Sequence, residues 1–323
     1  MQIKKKQING CYSCGSKIFK LEKDIKGKKY AKICSICNNI NRKIINHCPY
    51  CNSIDYEKWG ENVRDFSSVK CKKCKIVYLK NPLSDDAQSL YYKHYLNNVH
   101  QKKDLKKKQR KLMYKHELDY LINSVEDFKK IKDVLDVGCG GGYFLDLFKR
   151  KRKKTYGVEV GLDSYLTAKK KHTMFYGEFN EKLNIKKKFD LIVMRGVIEH
   201  VDDPKQYVYY AQKLLKKSGY ILITATPNLD SISAEIFKER WTQHRPESHI
   251  LHLKESHVDQ LFSKKKFTKY GSKSLYLNTP YENFFKDISI ILKEIHKQKK
   301  GIKSSLISPA FFGNMMTLIY KKR

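Results

Sequence analysis

The sequence predicts an α/β protein whose main domain is a doubly wound parallel sheet, preceded by two small modules that each bind a metal through four cysteines. Three observations support this prediction. Eight of the nine cysteines form four C-x-x-C pairs in the N-terminal quarter of the chain. Strand and helix patterns alternate from residue 131 onward, as they do in parallel sheets. A glycine-rich turn follows the first of these strands, where such sheets bind ligands.

The cysteine pairs form an internal repeat. Nineteen residues separate the two pairs within each half, and the second half repeats the first at an offset of 37 residues. Two thiolates on each of two tight turns complete a tetrahedral shell of four sulfurs, which suits Zn²⁺. An iron site of the rubredoxin type would use the same ligands, and disulfides or redox dithiols are further alternatives. The predicted ligands of two structural zinc ions are Cys11, Cys14, Cys34, Cys37, Cys48, Cys51, Cys71 and Cys74.

The formal net charge of the chain is +34, which would suit a polyanionic partner such as RNA, DNA or an anionic membrane face. However, the 67 basic residues comprise 58 Lys and only nine Arg, and Arg is the residue that grips phosphate bidentately. We therefore attribute most of the charge to coding bias. The sequence has no apolar run of eighteen residues and no signal-peptide pattern, which predicts a cytoplasmic protein without a transmembrane segment.

Composition and periodicity divide the chain into four predicted parts. These are a first zinc-ribbon-like module at 1–42, a second at 43–80, a helical linker at 81–130, and a catalytic domain at 131–323 with a lid insertion at about 231–262. Within the last part, strands are predicted at 134–137, 155–160, 174–176, 189–194 and 220–226, and helices at 143–149, 164–171 and 204–217.

The glycine turn has the form D-x-G-x-G-x-G, in which Asp136 precedes Gly138 and Gly140. A nicotinamide-binding fingerprint would need glycine where Tyr143 stands, and the Gly-Lys-Ser/Thr of a phosphate-binding loop is absent from the turn. Glycines at these positions let the backbone approach a ligand that carries no phosphates. A second acid, Glu159, ends the next predicted strand, where a carboxylate reaches a ribose diol.

Glu178 and Phe179, which follow the third predicted strand, complete this pattern. Glu178 could accept a hydrogen bond from an adenine amino group, and Phe179 could lie beside the adenine ring. The segments F-D-L-I-V at 189–193 and E-H-V-D-D-P at 199–204 follow in order. Together these segments resemble the class I S-adenosylmethionine-dependent methyltransferases, with a Rossmann-like fold, and in particular the branch of the ubiquinone-type O-methyltransferases.

The resemblance implies a role for each cofactor residue. Asp136, Gly138 and Gly140 are implied to line the methionine end of S-adenosylmethionine, Glu159 to hold the ribose, and Glu178 to lie near adenine. Residues 241–253 and 313–317 are similar to small-molecule methyltransferases of surface-glycan gene clusters. In the ubiquinone-type enzymes a Glu-x-x-Glu-His arrangement holds a divalent ion. Gly196 stands in place of the first Glu here, which argues against metal dependence.

Methyl transfer to a hydroxyl or a carbon acid needs a base near the C-terminal ends of the strands. His200, with Glu199 as its partner, follows the fourth predicted strand, and it serves either as this base or to order its loop. His249 and His252, in the predicted lid, are two further candidates, which would otherwise cap helices. Arg195 could grip an acidic substrate.

Three functions remain open from the sequence. The first is a methyltransferase that acts on a small-molecule or sugar-nucleotide acceptor, at oxygen or carbon. The second is an RNA methyltransferase whose zinc modules and charge hold nucleic acid, and the third is a vestigial enzyme whose modules bind a partner. The first is favoured, because the base-amino motif N/D-P-P-Y/F is absent after the fourth strand and the cofactor residues are intact. The apolar and basic pattern at 284–297 permits peripheral membrane contact, although such a stripe more often packs on its own domain.

Overall fold

A computed structural model of the chain describes residues 19–23, 29–34, 42–93 and 104–323. Within these residues the strands form a two-stranded hairpin, a four-stranded sheet and a seven-stranded sheet. The strands are β1 (Phe19–Lys23), β2 (Lys29–Cys34), β3 (Tyr56–Lys58), β4 (Ser68–Cys71), β5 (Val77–Leu79), β6 (Asp133–Val137), β7 (Lys154–Glu159), β8 (Thr173–Tyr176), β9 (Phe189–Arg195), β10 (Leu215–Pro227), β11 (Leu251–His252), β12 (Phe267–Lys273) and β13 (Met315–Lys322).

The α-helices in the described residues surround these sheets, and the longer ones lie near the N-terminus of the catalytic region and in its last third. They are α1 (Asp85–Lys93), α2 (Asp104–Ser124), α3 (Leu145–Arg150), α4 (Leu162–Lys169), α5 (Pro204–Leu214), α6 (Ile232–Phe237), α7 (Glu255–Asp259) and α8 (Phe284–Lys299). In the described part of the chain, none of the helices is both long enough and apolar enough to cross a bilayer.

The seven-stranded sheet has the order β12-β13-β10-β9-β6-β7-β8. Its five strands from β10 to β8 pair in parallel, whereas β13 pairs antiparallel with both β10 and β12. The predicted α/β class and the parallel-dominated sheet are therefore confirmed. The antiparallel strand β13 was not anticipated, since its pairing partners are separated from it by many residues and leave no local pattern.

Alternate residues of the central strands enter two separate apolar cores, because successive side chains of a strand point to opposite faces. On β9, Ile192 and Met194 join one core, whereas Leu191 and Val193 join the other. The second core is completed by buried side chains of α2 and α3, including Leu121. A sheet covered on both faces explains why its strands are continuous apolar runs in the sequence.

The boundary between α5 and β10 differs from the sequence prediction. The helix was predicted to run to residue 217, but it ends at Leu214, and the strand begins at Leu215. Leu215 is buried, and Lys216 forms ion pairs with Asp133 and Asp190. Because of these tertiary contacts, the chain joins the sheet at residues 215–217, where the local pattern predicts helix. The start of α5 agrees with the pattern, because Asp203 caps it.

The predicted linker is described only in part. Its two described helices are α1 and α2, and residues 94–103 lie outside the described residues. The predicted zinc ligands Cys11, Cys14 and Cys37 also lie outside them, and of Cys34 the structure describes only the backbone, as the last residue of β2. The first of the two predicted modules therefore stays a prediction.

The second module is joined to the catalytic region by a shared sheet. Its strands form the order β11-β5-β4-β3, in which β11 comes from the segment predicted to be a lid. Leu251 of β11 pairs with Tyr78 of β5, and the Leu79 N–H donates to the Ile250 carbonyl at 3.0 Å. Side chains of the module, such as Phe66, enter the same apolar core as the central sheet. The segment 231–262 is thus partly a strand partner of the module.

Candidate active site

The turn after β6 needs glycine for two different reasons. Gly138, Gly140 and Gly142 all have positive φ, at 67°, 56° and 78°, a region that favours glycine. A Cβ atom on Gly142 would lie 2.7 Å from the His172 ring, so Gly142 is required for packing. In contrast, a Cβ on Gly140 would meet no atom within 4 Å. Gly140 therefore presents bare backbone to open space, as a ligand site requires.

Asp136 lies on β6 directly before this turn, is 2% exposed, and lines the cavity. Its Oδ1 atom has no hydrogen-bond partner among the described residues. Burial raises the pKa of Asp136 to about 8, although the charge of Arg195 opposes this rise. A buried carboxylate without a partner is costly for the empty protein. It is compensated when a cationic ligand group, such as an ammonium, binds beside it.

Glu159, at the end of β7, accepts hydrogen bonds from the cofactor turn and from the backbone just after its own strand. Its Oε2 accepts a hydrogen bond from the Gly140 N–H at 2.7 Å, and its Oε1 accepts one from the Gly161 N–H at 2.8 Å. Burial nevertheless raises the pKa of Glu159, against the effect of these backbone donors. Each carboxylate oxygen has a second lone pair, so the same side chain can also accept hydroxyl groups from a ligand.

Glu178 and Phe179 follow β8, and both line the cavity. Phe179 is 2% exposed, and its ring packs against Tyr210 and Tyr207 with centroid separations of 4.8 and 5.8 Å. Phe179 is thus largely buried against these tyrosines, whereas Glu178 is exposed. Both predicted residues lie on the same wall as Glu159.

One cavity of about 2710 Å³ contains all of these residues. Its walls come from five parts of the chain: the ends of β6 to β10, the helices α1 and α2, the second module, the segment 242–251 after β10, and the crossover between β12 and β13. Drug-sized ligands usually occupy about 300–1,000 Å³. The cavity therefore has room for a cofactor and a large second substrate together.

Glu199, His200 and His249 form a cluster inside this cavity, with one ligand atom of each within 4.8 Å of the others. The Nδ1 atoms of His200 and His249 donate to the backbone carbonyls of Ser248 and Gln243 at 2.8 and 2.7 Å. Each imidazole therefore keeps Nε2 as its free acceptor. The two rings lie 4.7 Å apart between centroids.

The protonation of this cluster follows from its burial. Burial lowers the pKa of His200 to about 4 and that of His249 well below its usual value, so both imidazoles are neutral near pH 7. Burial also raises the pKa of Glu199 to about 8, and its Oε2 atom has no partner among the described residues. Two neutral imidazoles and a carboxyl group can act on an acceptor proton, or can hold a divalent cation.

His252 does not share this position. Its ring packs against Trp241 and Trp59, and its Nε2 lies 3.1 Å from Nδ1 of His244. The side chain is 1% exposed and does not line the cavity. The sequence suggested His249 and His252 equally as bases, but only His249 lies on the cavity wall. His252 is instead part of the packing between the second module and the segment that follows β10.

Arg195 is already paired within the protein. Its guanidinium donates to both carboxylate oxygens of Glu117 on α2, at 2.6 and 3.0 Å, and lies 4.5 Å from the Tyr114 ring. Glu117 is 1% exposed, so this ion pair is buried beside Asp136. Glu117 was not among the residues predicted from the sequence, because its partner Arg195 is distant in the chain and no local pattern joins the two. Arg195 therefore fixes α2 over the cavity.

The second set of cysteines forms a compact four-sulfur cluster. The Sγ atoms of Cys48 and Cys74, and those of Cys51 and Cys71, are 3.5 Å apart, and all four lie within 4.8 Å of one another. A disulfide would require about 2.05 Å. Tetrahedral zinc with bonds of about 2.3 Å separates its sulfurs by about 3.8 Å. The cluster therefore fits a metal and contains no disulfide.

Two equivalent turns produce this cluster. Asn52 and Lys75, each the residue after a second cysteine, adopt left-handed φ values of 62° and 66°. The Asn52 N–H donates to the Cys48 carbonyl, and the Lys75 N–H donates to the Cys71 carbonyl, both at 2.9 Å. The repeated backbone geometry explains the repeated C-x-x-C spacing, because each turn directs two sulfurs to one point.

Comparisons with known proteins identify a methyltransferase domain. A family model described as "Methyltransferase domain" matches residues 106–270, slightly more than half of the chain. The chain is 34% identical over 116 residues to a ubiquinone biosynthesis O-methyltransferase of Pelagibacter ubique, covering 34% of this chain and 48% of that protein. It is 33% identical over 109 residues to the mitochondrial enzyme of that name from Saccharomyces cerevisiae, covering 31% and 35%. The matches thus span a third to a half of these relatives.

Solved structures give more distant likenesses. A possible histamine N-methyltransferase from Thermotoga maritima is 19% identical, with a TM-score of 0.47, and the alignment covers 72% of this chain and 97% of that one. A methyltransferase from Archaeoglobus fulgidus is 22% identical, with a TM-score of 0.42 and coverage of 66% and 94%. The family assignment rests on the matched domain model: the chain belongs to the methyltransferase-domain family, of the class I S-adenosylmethionine-dependent type with a Rossmann-like sheet.

Proposed function

We propose that the chain transfers the methyl group of S-adenosylmethionine to a small-molecule or glycan-precursor acceptor, at a hydroxyl oxygen or a carbon. The observation that carries this proposal is the arrangement of one cavity. A buried carboxyl group at Asp136, whose Oδ1 has no partner among the described residues, lines the same cavity as the Glu199, His200 and His249 cluster. A cationic cofactor suits the first group, and an acceptor that must lose a proton suits the second.

Each of the cofactor residues would contact a different part of S-adenosylmethionine. Asp136 would pair with the methionine ammonium, and the backbone of Gly138 and Gly140 would lie against the methionine end. Glu159 would accept the ribose hydroxyls, while Glu178 and Phe179 would bound the adenine. The open space before Gly140 and the free lone pairs of Glu159 support these roles.

His200 and His249 are the proposed proton acceptors, with Glu199 as their positioning partner. When bound, S-adenosylmethionine supplies a sulfonium methyl group with a thioether leaving group. As the acceptor oxygen forms its bond to the methyl carbon, the bond to sulfur breaks, and the hydroxyl proton passes to an imidazole Nε2. The hydrogen bonds at Nδ1 favour this role, because they fix the tautomer that leaves Nε2 unprotonated.

The prediction for this step is a loss of turnover without a loss of cofactor binding. His249→Gln and His200→Gln should each lower kcat by about 10²–10⁴-fold, the usual contribution of a general base. His116→Gln, on α2 outside the cavity, is the matched control. Calorimetry with S-adenosylmethionine should return wild-type affinity for all three variants. Full turnover in both cavity variants would remove the histidines from the mechanism.

The acceptor site favours a small molecule over RNA. The second module contributes Lys43, Ile45, Tyr78 and Leu79 to the cavity wall, so it borders the acceptor instead of standing apart as a nucleic-acid platform. Curated relatives named as ubiquinone biosynthesis O-methyltransferases support an oxygen acceptor on a small molecule. The size of the cavity supports an acceptor larger than a single ring.

Labelled-methyl transfer can test the acceptor class. The purified enzyme is incubated with labelled S-adenosylmethionine and, separately, with phenolic compounds, nucleotide-sugar pools and total RNA. We expect label in one of the two small-molecule sets and none in RNA above a His249→Gln control. Label in RNA alone, lost in the same variant, would replace this proposal with the nucleic-acid alternative.

The four-cysteine cluster is proposed to hold structural Zn²⁺. Four thiolates form a closed shell with no open position, so this ion would stabilise the module and take no part in the reaction. A second ion in the module at 1–42 remains a proposal from the sequence repeat. The division at residues 42, 80 and 130 is likewise retained as a proposal. The shared strand pairing of β5 and β11 suggests that the second module does not function alone.

A further inference from the structure

The outward side of α8 exposes large apolar side chains. Phe285 is 86% exposed and Leu292 is 60% exposed. They are seven residues apart, which places them on one side of the helix, with the partly exposed Ile288 beside them. Single exposed apolar residues are common, but a row of them along one helix indicates a binding surface.

A row of lysines runs parallel to this apolar row. Lys286 and Lys293 each follow a residue of the apolar row by one position, Lys300 continues the seven-residue spacing just past the end of α8, and all three are exposed. Because one residue turns a helix by about 100°, the lysines flank the apolar side chains on one edge. We call these residues together the α8 outer face: Phe285, Lys286, Ile288, Leu292, Lys293 and Lys300.

The acidic residues of α8 point the other way. Asp287 is buried and accepts a hydrogen bond from the Tyr276 hydroxyl at 2.6 Å. Glu294 is fully buried and accepts from Arg240 at 2.7 Å. The helix thus keeps its two carboxylates in satisfied internal contacts and presents its positive charge outward. This segregation favours a negatively charged binding partner.

Aromatic side chains also link the α8 outer face to residues that line the cavity. The ring of Phe284 lies 5.7 Å from that of Phe285 and 6.3 Å from that of Phe311, which lines the cavity. Tyr281, just before the helix, is 41% exposed and lines the cavity as well. Aromatic side chains therefore form a continuous path from the α8 outer face to the interior.

We propose that the α8 outer face binds the surface of an anionic lipid bilayer. Phe285 and Leu292 enter the boundary between headgroups and acyl chains, and the lysine row contacts anionic headgroups. The pattern matches an interfacial helix, with apolar side chains on one side and lysines at the level of the phosphates. In this orientation the aromatic path from Phe285 through Phe284 to Phe311, which lines the cavity, begins at the bilayer. Combined with the proposed function, this means an acceptor with an apolar tail reaches the cavity from the membrane.

Vesicle binding tests this proposal without any methyl acceptor. The full chain is sedimented with vesicles of phosphatidylcholine alone, or of phosphatidylcholine and phosphatidylglycerol at about 7:3. Wild-type protein should sediment with the anionic vesicles only. Phe285→Ser combined with Leu292→Ser should weaken the partition at least about tenfold, because two buried apolar side chains are lost. Leu166→Ser, at a leucine on α4 that is 50% exposed, is the matched control.

These apolar substitutions are decisive because they leave the charge unchanged. With a net charge of +34, any part of the surface attracts anionic vesicles weakly. If the double variant binds like wild type, general electrostatics explains the binding and the proposal is wrong. If the double variant converts a dimer to a monomer in light scattering, the α8 outer face contacts a second copy, which also overturns the proposal.

Insertion can be observed directly. Both natural tryptophans are buried, so a tryptophan from Phe285→Trp reports its own environment. Its emission should shift to the blue with phosphatidylglycerol vesicles and not with phosphatidylcholine alone, whereas Leu166→Trp should not shift. Methylation of a water-soluble acceptor should be unaffected in the double variant. The vesicle measurements therefore test membrane binding alone, and methylation of the water-soluble acceptor tests the proposed activity alone.

Discussion

Asp136→Asn should weaken binding of S-adenosylmethionine by about 30-fold or more, since truncating one partner of a buried charge pair costs about 2–5 kcal/mol. Asparagine keeps the size of the side chain but cannot carry the charge that pairs with the methionine ammonium. Asp146→Asn, on α3 and outside the cavity, is the control. Calorimetry at pH 8 measures both. Unchanged affinity in Asp136→Asn would refute the cofactor assignment.

The same substitution should stabilise the empty protein. Burial raises the pKa of Asp136 to about 8, whereas an unfolded aspartate titrates near 3.9. The folded state therefore retains a proton that the unfolded state has lost, and the wild-type protein loses stability as pH rises from about 4 to about 8. Asparagine does not titrate, so the variant should not lose stability through this group as pH rises. The Tm of Asp136→Asn should exceed that of wild type, and by more at pH 8 than at pH 5.

Binding of the cofactor should also release a proton. A ligand ammonium beside Asp136 favours the ionised carboxylate, so a carboxyl group that is protonated near pH 7 gives up its proton on binding. Calorimetry in buffers of different ionisation enthalpy should detect this release, and affinity should increase from pH 6 to pH 8. Asp136→Asn should abolish the part of the release that belongs to this residue. An equal release in the variant would assign it to another group.

Removal of the metal from the second module should damage the acceptor side of the cavity and spare the cofactor side. The Nε2 atom of His257 on α7 donates to the Cys74 carbonyl at 2.7 Å, and Tyr50 donates to the His257 carbonyl at 2.8 Å. Farther along, the Glu199 carbonyl accepts from the N–H groups of Ile250 and Leu251, next to β5. The cysteine turns therefore bond to α7, and β11, which pairs with β5 of the same module, adjoins the segment that bonds to the backbone of the base cluster.

Cys74→Ser tests this connection. Metal analysis should find about two zinc ions per wild-type chain and about one fewer in the variant, because one four-thiolate site is broken. Cys139→Ser, outside the cluster, is the control for metal content. Turnover should fall at least about tenfold in Cys74→Ser, whereas the affinity for S-adenosylmethionine should be retained. An unchanged metal content would contradict the zinc assignment.

Tryptophan emission gives a readout that does not depend on activity. Trp59 of the module and Trp241 of the segment after β10 are both buried, and each packs against His252. Chelation should therefore shift their emission to the red, as the module separates from the catalytic region. If turnover and cofactor affinity fall together, the metal supports the whole fold and not the acceptor wall alone.

The base cluster illustrates the limit of sequence reasoning. Glu199 and His200 are adjacent in the chain, so their proximity was predictable. His249 lies about fifty residues later, and its contact with His200 depends on β11 pairing with β5. The equally plausible His252, three residues on, points into the packing between the tryptophans. His252 lies on β11, whereas His249 precedes the strand, so the pairing of β11 and the path of the chain before it decide which imidazole lines the cavity.

Local patterns determined much of this protein from its sequence alone. Apolar runs, the glycine turn after Asp136 and the repeated C-x-x-C spacing each depend on neighbouring residues, and they indicated the sheet, the cofactor turn and the four-cysteine cluster. The tertiary structure alone decided the antiparallel β13, the pairing of Arg195 with Glu117, and the use of the second module as a cavity wall. The physical reason is that these contacts join residues distant in the chain. Their formation depends on how the elements pack together, which leaves no periodic trace in any one segment.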